Sequence, residues 1–255
     1  MQDETHAHFV MDDFHAQVIR ESAERWWDGI YTICEHDVTI NEVLSLGKEA
    51  IVSAKLIDAY LALVSHSFDT PRVEVVESEF ANLLKDMDYE QAIRKFYLPE
   101  GKSVIVANID QLDLIFVPAQ LVGEHWSVLV IDLKRKRFHH FDSTRTQEGS
   151  RLAFETGRKL LQKEEKVRKR DLELSSWKER DDVLLPELTN AWDSGIFAAQ
   201  AIRYLLQSNR LPSRMSQEDW PFEQEAADAI RWHMWKEITA GVTAPLEIKT
   251  IFTIW

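Results

Sequence analysis

The stretch from Leu112 to Phe141 most narrows what this chain can fold into. It strings together short runs rich in Val, Ile and Phe at Leu112 to Pro118, Trp126 to Leu133 and Phe138 to Phe141, separated by Asp and Gly residues and by the turn Lys134-Arg135-Lys136-Arg137. Short β-branched and aromatic runs bounded by turn formers predict neighbouring strands of a buried sheet, and Ser103 to Asn108 is a fourth candidate. Helical spacing of apolar residues surrounds this block. It predicts helices over Phe14 to Ile30, from Gly47 or Lys48 to Leu63, over Phe80 to Phe96, Gly149 to Val167, Gly195 to Leu206 and Glu223 to Ile238. Leu172 to Trp177 and Val183 to Leu185 read as further short strands. With no internal repeat and no Pro/Gly-rich linker, one α+β domain is the economical arrangement.

Charge and composition remove several function classes. The 255 residues carry 43 Asp plus Glu against 30 Lys plus Arg, a formal charge of −13, which argues against a general nucleic-acid binder. Val104 to Val122, the most apolar stretch, is broken by Asn108, Asp110, Asp113 and Pro118, so no membrane span of about 20 apolar residues is expected. The single cysteine, Cys34, and the polar start Met1-Gln2-Asp3-Glu4-Thr5 favour cytoplasm or nucleus over export. The mixed-charge run from Lys163 to Arg170 predicts a solvated helix face.

Several motifs fail on inspection. Gly101-Lys102-Ser103 resembles the end of a phosphate-binding loop, but Phe96 stands where its first glycine belongs. The pairs His6/His8 and His139/His140 lack metal-protease spacing, so neither a metal nor a cofactor is expected. Trp192-Asp193-Ser194-Gly195 lacks the first glycine of a hydrolase elbow. One constellation survives. A hairpin turning at residues 134–137 would bring His125 and Asp142 to the same end of adjacent strands, where the carboxylate fixes the imidazole tautomer and supports its protonated form. Asp193-Ser194-Gly195 puts a hydroxyl at the start of an apolar helix, where N–H groups and the positive helix end favour an anion. Taken singly, these residues read as a helix cap, a strand-end Asp and a half-buried His.

Together they resemble the ubiquitin-like-protein-specific cysteine proteases, the SUMO and NEDD8 proteases of the Ulp1 type. The resemblance rests on His125-Trp126-Ser127, Phe141-Asp142-Ser143 and Thr189-Asn190-Ala191-Trp192-Asp193-Ser194-Gly195, in the order His, Asp, nucleophile. Leu56-Ile57-Asp58-Ala59-Tyr60-Leu61 is similar to the family's N-terminal helix. Ser216-Gln217-Glu218-Asp219 with Arg231, Met234, Glu237 and Ile238 is similar to its last helix. The resemblance implies a papain-like α+β fold of the Ulp1 type, a central mixed sheet flanked by helices, over residues 43–255, with 1–42 as an N-terminal extension carrying a helix. It implies a catalytic set of His125, Asp142 and Ser194, a nucleophile loop of Asp193 and Gly195, and a substrate-tail channel at Trp126, Ile51 and Trp192. The partner implied is a ubiquitin-like protein (SUMO, NEDD8 or ubiquitin) or its conjugates.

The chain departs from that pattern at informative places. The family's nucleophile is cysteine, and Ser194 stands there; a serine must lose its proton during attack, whereas a thiol ionises near neutrality. Leu188 occupies the position of the oxyanion-stabilising glutamine and cannot donate a hydrogen bond. Ile51-Val52-Ser53-Ala54 replaces a Trp-Leu-Asn-Asp pattern, removing one roof of the tail channel. Two readings follow: a peptidase cleaving after the C-terminal glycine of a ubiquitin-like protein, nearly inactive as a serine form, or a pseudoprotease that binds such a partner. A true Ser-His-Asp hydrolase is disfavoured without a full oxyanion hole.

Overall fold

A computed structural model describes residues 30–47, 50–68, 72–96, 105, 107–144, 146–181, 185–208, 219–241 and 243. The helix expected over Phe14 to Ile30 lies outside these residues except at Ile30, which opens strand β1 (Ile30–Ile33). A two-residue turn at Cys34 and Glu35, both at positive φ, joins β1 antiparallel to β2 (His36–Thr39). Thr39 then closes a capping box with Glu42 and starts α1 (Ile40–Leu44).

Helix α2 (Ala54–Ser67) begins later than the periodicity suggests, because Ser53 is its N-cap and accepts from Leu56 N at 3.2 Å. Short strand β3 (Val73–Val75) follows. The single helix expected over Phe80 to Phe96 is two, α3 (Ser78–Asp86) and α4 (Tyr89–Lys95). The break is local chemistry: Asp88 and Gln91 form a second capping box, which restarts the helix after an extended Met87.

Three strands fall where the apolar runs predict them: β4 (Leu114–Val122), β5 (His125–Asp132) and β6 (Arg137–Phe141). Ile105, Ala107 and Asn108 are not in a strand, and the other residues of that candidate lie outside the described set. Helix α5 (Gln147–Arg168) comes next. Leu172 to Trp177 is not a strand; Leu174–Ser176 form a 3₁₀ turn, and the short strand β7 (Lys178–Arg180) comes after it. Glu173, in the left-handed region at φ 55°, turns the backbone out of the extended path. Helices α6 (Ser194–Ser208) and α7 (Ala227–Ala240) complete the fold. Val183 and Leu184 lie outside the described residues.

The sheet order is β3-β4-β5-β6-β7, parallel at both margins and antiparallel in the centre, which is the expected mixed sheet flanked by helices. Both faces are buried, so the central strands read as near-continuous apolar runs. Leu114, Phe116, Val128 and Val130 pack with α2, α6 and α7; Ile115, Val117, Leu129 and Ile131 pack with α3, α4 and α5. Ile33 and Val38 of the first hairpin are buried in the former core. On the other face, a Cβ at Gly157 would come within 2.9 Å of the Phe138 ring, so only glycine lets α5 lie this close to the sheet.

The run from Lys163 to Arg170 is largely solvated, as expected: Lys166, Val167, Lys169 and Arg170 are exposed and only Glu164 is buried. Lys163 pairs with Glu90 of α4, Arg168 with Glu164 of its own helix and with Asn108 and Ala107 O, and Arg170 with Asp110, tying this end of α5 to α4 and to the turn at 107–110. No helix among the described residues is long and apolar enough to cross a membrane.

Candidate active site

The β4–β5 hairpin has a two-residue turn in which Gly123 takes φ 55°. A bulge between Ala119 and Val122 disturbs the register beside it and re-aims the strand end that carries His125. On the neighbouring strand, β6 ends one residue before Asp142. Pairing of Val128 with Phe141 brings the two side chains to the same end of the sheet. His125 Nε2 and Asp142 Oδ1 are 2.6 Å apart.

Asp142 is held from behind as well. Thr144 donates to its Oδ1 through both N–H (2.9 Å) and hydroxyl (3.0 Å), a side-chain turn spanning two residues. Burial pushes the Asp142 carboxyl up, but the hydrogen bonds from His125 and Thr144 outweigh it and hold the carboxyl below its ordinary value. A carboxylate at 2.6 Å takes the Nε2–H of neutral His125, which leaves Nδ1 as the nitrogen able to accept a proton.

Ser194 opens α6 and is 1% exposed. Its hydroxyl donates to Ala191 O at 2.9 Å and accepts from Trp126 N at 3.2 Å, so it abuts the residue next to His125. The loop before it is braced by Asp193. Arg231 Nε donates to Asp193 Oδ1 at 2.9 Å, and Asn190 and Gln224 each donate to Oδ2 at 2.7 Å. Arg231 also reaches Trp192 O, Ser45 O and Ala50 O, which ties the start of α6 to α7 and to the chain before α2.

Of the residues expected along the tail channel, Trp126 is buried and Ile51 and Trp192 are half-buried. Trp126 has no exposed surface. Its indole N–H donates to Val52 O at 3.2 Å, and its ring lies against Gly195, where a Cβ would come within 3.0 Å. It sits in the core, where the backbone of Val52 takes up its one polar group. Leu188 is half-buried and packs against the core formed by α2, α6 and α7.

Sequence reasoning missed Thr144, Asn190 and Gln224 and the brace that Arg231 supplies. An Asp followed two residues later by Thr is a readable turn signal. Gln224 and Arg231 stand 31 and 38 residues from Asp193 and carry no local sign of the contact. Among the described residues no three His, Cys, Asp or Glu side chains converge closely enough to hold a metal ion.

Comparison with known proteins bears on this geometry. Residues 51–245 match the Ulp1 protease family, C-terminal catalytic domain. The chain is 28% identical over 107 residues to Ubiquitin-like-specific protease 1 of Saccharomyces cerevisiae, covering 42% of this chain and 16% of that protein. It is 26% identical over 135 residues to a Sentrin-specific protease of Caenorhabditis elegans, covering 52% and 19% respectively. The alignments therefore span under a fifth of these two relatives. In fold, it is similar to the C-terminal Ulp1 protease domain in complex with SMT3, the yeast ortholog of SUMO, with a TM-score of 0.67 at 19% identity over 89% of this chain and 94% of that one. The Ulp1-like SUMO protease catalytic domain of Chaetomium thermophilum gives a TM-score of 0.56 at 15% identity, over 88% of each chain.

Proposed function

The chain belongs to the Ulp1 protease family, and from that premise we propose that its site is built to cleave after the C-terminal glycine of a ubiquitin-like protein. The observation that carries this reading is the His125–Asp142 pair at 2.6 Å, set beside a helix start that holds the residue at the nucleophile position. His125 Nδ1 takes the proton from residue 194 as that residue attacks the carbonyl carbon. The first-turn N–H groups of α6 receive the developing oxyanion. His125 returns the proton to the departing amine, and water then hydrolyses the acyl intermediate. Asp142 keeps the imidazole in the required tautomer. The partner is a ubiquitin-like protein, as the SMT3 complex of the yeast domain suggests. The catalytic unit takes in the hairpin at 30–39 as well, since Ile33 and Val38 share its core.

In the serine form this chemistry is slow. The Ser194 hydroxyl donates its proton to Ala191 O, so it must rotate before His125 can take it. Leu188 supplies no oxyanion donor, and lack of one such donor costs about 10²–10³ in rate. The same two features favour a second reading, a module that binds the partner without cleaving it.

The test compares the chain with its Ser194→Cys variant on SUMO, NEDD8 and ubiquitin carrying a fluorogenic group on the terminal glycine. Cleavage of one of them by the cysteine form, lowered about 10²–10⁴-fold by His125→Ala, supports the peptidase. Binding without cleavage by either form supports the module. Neither binding nor cleavage overturns the substrate class.

A further inference from the structure

The start of α6 carries more charge than its geometry needs. Asp193 directly precedes residue 194, and a carboxylate there opposes an anion on its neighbour. Neutral donors already hold one side of that carboxylate, since Asn190 and Gln224 each bond Oδ2. Yet Oδ1 faces a full positive charge, the Arg231 guanidinium of α7. Asp193 and Arg231 are 3% and 2% exposed, so water and salt screen neither of them well. Such a pair is weak evidence for stability, because the desolvation of two charges offsets their attraction.

The cation is also fixed in place. Besides Nε to Asp193 Oδ1, Nη2 donates to Trp192 O at 2.8 Å and to Ala50 O at 3.3 Å, and Nη1 donates to Ser45 O at 3.1 Å. Four of the five N–H groups of the guanidinium are thus committed to fixed acceptors. At residue 194 itself the side-chain oxygen accepts from Trp126 N, and the positive end of α6 begins. Both features favour an anion at 194, and the Asp193 carboxylate acts against them.

We propose that Arg231 cancels the charge of Asp193 so that residue 194 is held as an anion, above all as the thiolate of a cysteine form. Arg231 acts through Asp193 and is a positioning residue. His125 and Asp142, the other titratable groups of the site, belong to the sheet side and are common to every variant below. The inference rests on residue 194 being the nucleophile, as in the proposed function.

The test reads the ionisation of a thiol at 194 in the full chain carrying Ser194→Cys and Cys34→Ser, which removes the other thiol. Thiolate ultraviolet absorbance is followed against pH as a difference from the same chain with Ser194 retained. Arg231→Gln keeps a donor and removes the charge, and should raise the midpoint by about one pH unit, about tenfold less thiolate at a pH below it. Asp193→Asn should lower the midpoint by a similar amount. Combining the two should return it to the parent's value, and Arg231→Lys, which keeps the charge, should leave it there. A brace without an electrostatic role would instead move both single variants the same way and the double variant furthest. Asp193→Asn decides the matter should Arg231→Gln not fold. Shifts of equal sign, no shift, or a double variant that does not return would each overturn the proposal. No substrate enters the measurement, so absence of cleavage in the panel of ubiquitin-like proteins bears on the proposed function and leaves this result standing.

Discussion

Behind Asp142, the His140 imidazole is 2% exposed, lies 3.3 Å from Ser150 Oγ through Nδ1, and has no hydrogen-bond partner at Nε2. Burial drives its pKa down to about 4, against the opposing pull of Asp142 and Asp181. Between about pH 4 and 6.5 the unfolded chain therefore binds a proton there that the folded chain refuses. Stability contributed by neutral His140 is complete above about 6.5 and is lost on acidification towards 4, by about 3 kcal/mol. A His140→Gln variant removes that acid-side loss, so denaturation midpoints measured across this range should fall less on acidification than in the parent. Asp142 acts at lower pH. Its carboxyl lies below the ordinary value, so its contribution is present above about 4 and disappears as pH falls through the folded value. The residue scale also shows what was readable in advance. His125 and Asp142 were visible because a strand-turn-strand pattern dictates which ends meet. The burial of Trp126 was not, because it depends on Val52 O and Gly195, which are distant in sequence.

At the scale of elements, starts and stops obeyed local chemistry more than hydrophobic period. Helix α4 restarts at Asp88, and α2 waits for Ser53, because a side-chain cap satisfies N–H groups that periodicity ignores. Helix α3 is capped from outside. Its own N-cap residue, Glu77, makes no side-chain cap bond, and Asp58 of α2 accepts from Ser78 N at 2.7 Å instead. No reading of residues 77–80 alone would supply that partner. Since burial holds the Asp58 pKa near 7, its contribution to stability is present below about pH 4 and is lost as pH rises through 7, by about 4 kcal/mol. Asp58→Asn keeps an oxygen to accept from Ser78 N while removing the charge, and should make the protein more stable at pH 8 than the parent. Urea midpoints at pH 5 and pH 8 check it: an equal change at both would exclude ionisation as the cause. Packing of α5 on the sheet gives another expectation. Gly157→Ala must push the Phe138 ring, so it should destabilise by about 1–3 kcal/mol in urea denaturation.

Across the whole molecule the slopes of His140 and Asp58 oppose each other between about pH 4 and 6.5, so the parent should show a flat profile there that either single variant unmasks. The largest polar commitment lies in the core. Arg203, with no exposed surface, bonds Glu237 at 2.6 and 2.8 Å and Tyr60 Oη at 2.7 Å, joining α6, α7 and α2 in one network. Glu237→Gln leaves that guanidinium buried without its counter-charge and should cost about 3–5 kcal/mol, measured as a lowered urea midpoint with unchanged m-value. The amino-acid sequence by itself determined the α+β class, the three central strands, the apolar helix behind Ser194 and the pairing of His125 with Asp142. Each follows from periodicity or a turn within a few tens of residues. Only the tertiary structure decided the brace of Arg231 on Asp193, the external cap on α3, the burial of Trp126 and the core network of Arg203. Those contacts join residues up to 177 apart, and one-dimensional spacing carries no record of which distant polar groups meet.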